Sequence, residues 1–339
     1  MTQITPNIQR ELNSHRLLKR VLDGQQLTVI YDLDETFLTR GGEGFTTMEV
    51  NKASTEQGAY GYWKYVLEHS YPKSLMQFEL INSLRQLNQG IGVATTSDVN
   101  ALLELKLAGI DLNDLDFVIF QRMEGFEDPR LLNIHKEVLG VNNPDVKDLT
   151  TYIEAISAKY KVSIEMMRTR YEKRRALNSL CENDSRMQDL FLRKLISIGD
   201  QEQDGYLALP FNDKEEDFPY WQSEPELFRP VEGGLGLMIP GNTPKNHSSP
   251  YGDEYVSSLG PATAYAAAVV TKNPEASGFV EQVQQRYLLD YALERQGKPV
   301  GSVHWINPFS GQDAGAAEST WSEIENGGPL MNKIRGLFV

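Results

Sequence analysis

The chain has 339 residues, 40% of them hydrophobic, which suffices for a large core and excludes an intrinsically disordered protein. A formal net charge of −14 argues against non-specific binding to a nucleic-acid backbone, while leaving room for a local basic pocket. The single cysteine, Cys181, excludes an intrachain disulfide and a paired-thiolate metal site, and it fits a reducing, cytoplasmic compartment.

Met1 to Arg20 lacks the apolar core of about 7–15 residues that a secretory signal needs. No stretch approaches the roughly 20 apolar residues of a membrane span. Residues 7–22 place Ile8, Leu12, Leu17, Leu18, Val21 and Leu22 on one stripe and predict an amphipathic helix. After the break at Asp23-Gly24, Leu27 to Tyr31 predicts a buried strand. The strand runs into Asp32-Leu33-Asp34-Glu35-Thr36. Side chains alternate along extended backbone, so Asp32, Asp34 and Thr36 fall on one side. Carboxylates held that close repel each other unless a cation sits between them or one carries a proton. A turn or a helix cap would use the same residue types. An EF-hand loop does not fit, because Phe37 stands at its glycine position.

The glycine-rich segment Thr39 to Phe45 predicts a tight turn or flap. Residues 59–69 predict a short helix carrying Tyr60, Tyr62, Trp63 and Tyr65, a set better suited to core packing than to an aromatic substrate. A helix over 75–89 stops at Gly90. Ile91 to Ser97 predicts a second strand ending in Thr95-Thr96-Ser97. Asp98 is placed to cap a helix over 99–108, and Asp116 to Gln121 predicts a third strand. Strand, helix, strand at this spacing is a βαβ unit and hence a parallel sheet. Residues 124–147 are turn-rich, and 148–194 predict two or three helices. Leu195 to Ile198 predicts a fourth strand, followed by Gly199-Asp200-Gln201-Glu202-Gln203-Asp204-Gly205. Beyond it, 210–252 predict loops around a short strand near Leu235 to Ile239, and 261–271 and 275–296 predict helices.

Three of these strands thus end in oxygen-bearing side chains, and in an open parallel sheet such ends line one crevice. In that order, Asp32-x-Asp34-x-Thr36, Thr95 or Thr96, and Gly199-Asp200-x-x-x-Asp204 resemble the motifs of the haloacid dehalogenase (HAD) superfamily. Its remaining motif is a lysine ahead of the last strand. Lys173 is the choice here, with Lys136 and Lys194 as rivals. The resemblance covers about 25–209. It implies an α/β fold with a Rossmann-like parallel sheet and helices on both faces. It divides the chain into an N-terminal helix (1–24), a catalytic core (25–209) with a small helical insert at about 125–170, and a C-terminal extension (210–339). Too few residues lie between Thr36 and Thr95 for a large cap.

The resemblance further implies a Mg²⁺-dependent phosphomonoester hydrolase working through an aspartyl-phosphate. Asp32 would be the nucleophile and Asp34 the acid–base. Thr36, Thr95, Thr96 and Lys173 would bind the phosphoryl group. Asp32, Asp34, Asp200 and Asp204 would hold the metal. A lightly capped site favours a large partner, a phosphoprotein with a phosphotyrosine-like group, over a small phosphorylated molecule. Transfer to an acceptor other than water, or a HAD-fold binding module acting through the extension, stays open as an alternative. The basic run Arg168, Arg170, Arg174 and Arg175 is expected on a solvated helix face, and the five histidines show no metal spacing. The tail from Glu318 to Asn326 resembles the loosely defined C-terminal export signals of bacterial effectors. A flexible solvated tail has the same composition.

Overall fold

The computed structural model of the chain describes residues 6–40, 46–72, 77–121, 128–142, 146, 148–168, 172–200, 202–208, 233–239, 259–277, 288–289 and 302–306. In chain order the elements are α1 (Pro6–Val21), β1 (Leu27–Tyr31), β2 (Leu38–Arg40), α2 (Thr47–Glu68), β3 (Ser70–Pro72), α3 (Gln77–Gln86) and β4 (Gly90–Ala94). Next come α4 (Ala101–Leu107), β5 (Phe117–Gln121), α5 (Pro129–Leu139), α6 (Leu149–Tyr160), β6 (Ser163–Met167), α7 (Lys173–Asn183), α8 (Ser185–Leu192) and β7 (Lys194–Gly199). The chain continues with α9 (Glu202–Gly205), β8 (Leu235–Met238), α10 (Leu259–Thr271), β9 (Leu288–Leu289) and β10 (Ser302–Ile306).

The main sheet has the order β6-β5-β4-β1-β7-β8-β10-β9. Every neighbouring pair is parallel except β10 and β9. β1 and β4 are buried at all five positions, as strands covered on both faces must be, and this is why they read as unbroken apolar runs. Alternation then sorts their side chains. Val29, Tyr31, Val118, Phe120, Ile196 and Ile198 join the core beneath α1, α3, α6 and α10. Ile30, Phe117, Ile119 and Leu195 join the core beneath α7 and α8. Tyr31, fully buried, hydrogen-bonds Thr263 of α10 through its hydroxyl at 2.8 Å. The α/β architecture is therefore as the sequence implies.

Three expectations change. The 125–170 segment is not a helical insert standing apart from the sheet. Its two helices lead into β6, which pairs with β5 over five registered positions. β6 is an edge strand with only Met167 fully buried, and its Glu and Met residues favour helix locally, so no apolar run announced it. Second, the described parts of 210–339 join the core: β8 and β10 continue the same sheet, and α10 packs on α1. Third, the helix over 275–296 does not form throughout, because Leu288–Leu289 pairs with β10. The tail and most of the Thr39 to Phe45 segment lie outside the described residues.

Between β1 and β4 the chain leaves the sheet. β2 and β3 form an antiparallel ladder, and α2 is inserted between them, longer than the 59–69 stretch alone predicts. Gly58 breaks α2 with φ 66° and ψ −148°, a conformation that favours glycine. After the break Trp63, Val66 and Leu67 are buried; the turns before it are mostly exposed.

A second buried network braces this end of the molecule. Asp98 accepts from Trp63 Nε1 at 3.0 Å and from the Asn100 backbone at 2.8 Å. Asn100 Oδ1 lies 2.8 Å from His135 Nε2, and His135 Nδ1 lies 2.8 Å from the Tyr152 hydroxyl. A neutral imidazole satisfies both partners, with Nε2 donating and Nδ1 accepting. Burial pushes the His135 imidazole from 6.5 down to about 3. The unfolded chain therefore takes up this proton first as pH falls, and stability is lost below the unfolded value. Between pH 7 and pH 5 the loss should reach about 2 kcal/mol, since each pKa unit is worth roughly 1.4 kcal/mol. His135→Gln should be less stable than wild type at pH 7, and urea unfolding should show the gap narrowing by that amount at pH 5.

Candidate functional site

The strand order reverses at β1. The chain adds β4, β5 and β6 on one side and β7, β8 and β10 on the other. Crossovers that diverge in this way leave a crevice at the carboxyl ends of the two central strands. Asp32 lies there, directly after β1, and its backbone N–H donates to the Ile198 carbonyl of β7 at 2.9 Å. Asp200 follows β7 directly, and Asp204 comes from α9, one short turn later. Carboxylate oxygens of Asp32, Asp200 and Asp204 all lie within 4.8 Å of one another; Asp32 and Asp204 are buried and Asp200 is half-buried. Such a group of hard oxygen ligands could hold a metal ion.

Of the three candidate lysines, Lys173 is the one that meets these carboxylates. Lys173 Nζ, buried at the start of α7, donates to Asp32 Oδ1 at 2.9 Å and to Asp204 Oδ1 at 2.5 Å. Lys136 instead donates to the Val146 carbonyl at 3.1 Å, and Lys194 to the Val270 carbonyl at 3.1 Å. Burial alone would lower the Lys173 ammonium, but Asp204 and then Asp32 outweigh it and hold it above the usual range. Asp32 moves upward too, first through burial and then through the charge on Asp204, with Lys173 opposing and Asp200 and Asp34 adding to the rise. The neighbouring carboxylates push both groups upward, whereas burial raises Asp32 and opposes the rise of Lys173.

Asp34 is half-buried, and Glu35 after it adopts a left-handed φ of 55°. The Leu33 carbonyl then receives the backbone N–H groups of Thr36, Phe37 and Leu38 at 2.9–3.2 Å, which curls the chain away from the strand direction. The simple alternation expected past Tyr31 therefore ends at Asp34. Thr36 is fully buried, and its hydroxyl has no hydrogen-bond partner among the described residues. Thr95 follows β4, whose Val93 is in register with Tyr31, so Thr95 stands at the neighbouring strand end. Its Oγ1 accepts the Ser97 N–H at 3.0 Å. Thr95 is buried and Thr96 half-buried.

Other expectations divide. Arg168 is exposed, and Arg175 lies 3.7 Å from Glu172 on the solvated face. Arg174 is buried, contrary to expectation, because it shares the inward side of α7 with Lys173, Leu177 and Asn178. Arg170 lies outside the described residues. Of the aromatic group, Trp63 is buried and Tyr60 carries the Arg130 guanidinium over its ring at 4.1 Å. Ser197 went unnoticed in the sequence. It is a buried hydroxyl inside β7 that donates to the Asp204 carbonyl. The signal was there: one polar residue interrupts Leu195-Ile196-Ser197-Ile198.

Comparison with known proteins returns no match from family models, from curated proteins or from solved structures. No helix among the described residues is long and apolar enough to cross a membrane.

Removing the ammonium while keeping the bulk of its stem tests these electrostatics. Lys173→Met, unfolded in urea with divalent ions chelated, should lose about 3–5 kcal/mol at pH 7, since one partner of a buried ion pair is deleted. The loss should be smaller at pH 5, because Asp32, raised first by burial, can then take up a proton.

Proposed function

We propose that the chain is a Mg²⁺-dependent phosphomonoester hydrolase acting through an aspartyl-phosphate, as its resemblance to the HAD superfamily implies. The observation that carries this reading is the meeting of Asp32, Asp200 and Asp204 within 4.8 Å around a lysine drawn from 141 residues away in sequence. Structural carboxylates seldom crowd in a buried crevice, where burial and like charge both raise their energy.

The chemistry follows from what each side chain can do. Asp32 Oδ1 is held by Lys173, which fixes the carboxylate and leaves Oδ2 to attack phosphorus. The P–O bond to the leaving group breaks, and Asp34 donates a proton to the departing oxygen. Asp34, now ionised, takes a proton from water; the water oxygen attacks phosphorus and releases inorganic phosphate and free Asp32. Thr95, with its own proton uncommitted among the described residues, and Lys173 suit the phosphoryl oxygens. The Thr36 hydroxyl, without a partner among the described residues, is a further candidate. Asp32, Asp200 and Asp204 would hold the metal, together with the Asp34 carbonyl. A bound Mg²⁺ would offset the charge that otherwise keeps an anionic nucleophile from an anionic phosphoryl group.

Two alternatives receive less support. A binding module built on a free C-terminal extension sits poorly with β8 and β10 being strands of the same sheet. Transfer to an alcohol instead of water uses the same first step, and product analysis separates the two. A phosphoprotein substrate fits a crevice whose neighbouring segment, β2–α2–β3, is a single broken helix on a two-stranded ladder.

Purified protein should hydrolyse an aryl phosphate with Mg²⁺ and lose that activity in EDTA. Asp32→Asn should lower the rate by roughly 10⁴-fold or to background, the scale on which removal of a nucleophile acts. An Asp32→Asn protein as active as wild type would exclude Asp32 as the nucleophile.

A further inference from the structure

We propose that Ser197 and Gly236 are positioning residues for Asp204, seating the backbone of 204–205 so that its carboxylate meets Asp32, Asp200 and Lys173. This rests on the reading of those carboxylates as a cation site. Asp204 belongs to a four-residue helix, α9, which has too few internal hydrogen bonds to fix a side chain by itself. Its position must come from the surface beneath it.

That surface is made by two registered residues on neighbouring strands. Ser197 of β7 lies opposite Gly236 of β8. The buried Ser197 hydroxyl donates to the Asp204 carbonyl. The next carbonyl, Gly205 O, would lie 2.2 Å from a Cβ at position 236, and Gly205 Cα 2.7 Å from it. Any side chain at 236 would therefore lift the turn off the sheet. Gly234, two residues earlier, repeats the arrangement under the Ala208 carbonyl, at 2.2 Å from a Cβ there. On the other side, a Cβ at Gly199 would lie 2.5 Å from Asp204 Cβ and 2.6 Å from its Oδ2. The 204–205 turn is thus clamped from below by one hydroxyl and by the absence of a side chain. Residues that orient ligands from behind in this way typically change metal affinity by about 10–100-fold when altered.

The probe is Mn²⁺, a stand-in for Mg²⁺ whose free ion is read by electron paramagnetic resonance in titrations of the full chain. Ser197→Ala removes only an oxygen and should weaken Mn²⁺ binding by about tenfold, with far-UV dichroism unchanged. Gly236→Ala, if folded, should weaken it further. Ile156→Val in α6 serves as a control for general loss of stability and should bind within twofold of wild type. A folded Ser197→Ala protein that binds Mn²⁺ as wild type does would overturn the inference. So would an equal loss in the Ile156→Val control. Wild type that takes up no Mn²⁺ would instead defeat the cation-site reading, and this inference with it.

Discussion

One ammonium group, on Lys173, stands between the carboxylates of Asp32 and Asp204, and the centre of the molecule is built around its insufficiency. Each contact is worth about 6 kcal/mol at an effective dielectric constant near 20. Removing three ions from water costs several kcal/mol apiece. Attraction and desolvation therefore roughly cancel, and there is no surplus with which to accommodate Asp200 and Asp34 beside them. A divalent cation bound by these carboxylates would remove the deficit. The crowded carboxylates are held together by a scaffold that is stable for other reasons.

Those other reasons lie in the sheet. Its central strands are covered on both faces, so their hydrophobic content is high and their ends are rigid. Asp32 and Asp200 each stand one residue beyond such an end, and β1 and β7 are bonded in register up to that point. Lys173 comes from the helix layer over one face, whereas the Tyr31–Thr263 bond ties β1 to the helix over the other. The charged groups are delivered from the ends of β1 and β7 and from α7 and α9 to one edge.

How much of this could be read from residues alone depended on how local each determinant was. β1, β4, β5 and β7 were legible because burial on both faces writes itself as continuous apolar sequence. The carboxylates were legible because they sit immediately after those runs. β6 was not, since an edge strand with one fully buried residue leaves no such run. The placement of β8 and β10 in the same sheet was not, because pairing between distant segments carries no local mark. Arg174 was misassigned for a related reason. Inward and outward sides of a short basic helix cannot be distinguished until its neighbours are known. Lys173 was singled out over Lys136 and Lys194 by motif order, but only the fold shows that the other two serve carbonyls elsewhere.

The alternation Gly234-Leu235-Gly236-Leu237, running from just before β8 into it, has a consequence for how the chain assembles. Parallel strands can slip along one another, and a shift of one residue exchanges the two faces. Here such a slip would bring a leucine to the place under the Gly205 carbonyl where even a single methyl has no room. It would also move a glycine into the core that Leu235 and Leu237 fill. The same two glycines therefore act as a proof-reading device. Sheet and turn fit together in one alignment, so a misaligned β8 is penalised on both faces at once, and the crevice closes only on a correctly assembled sheet.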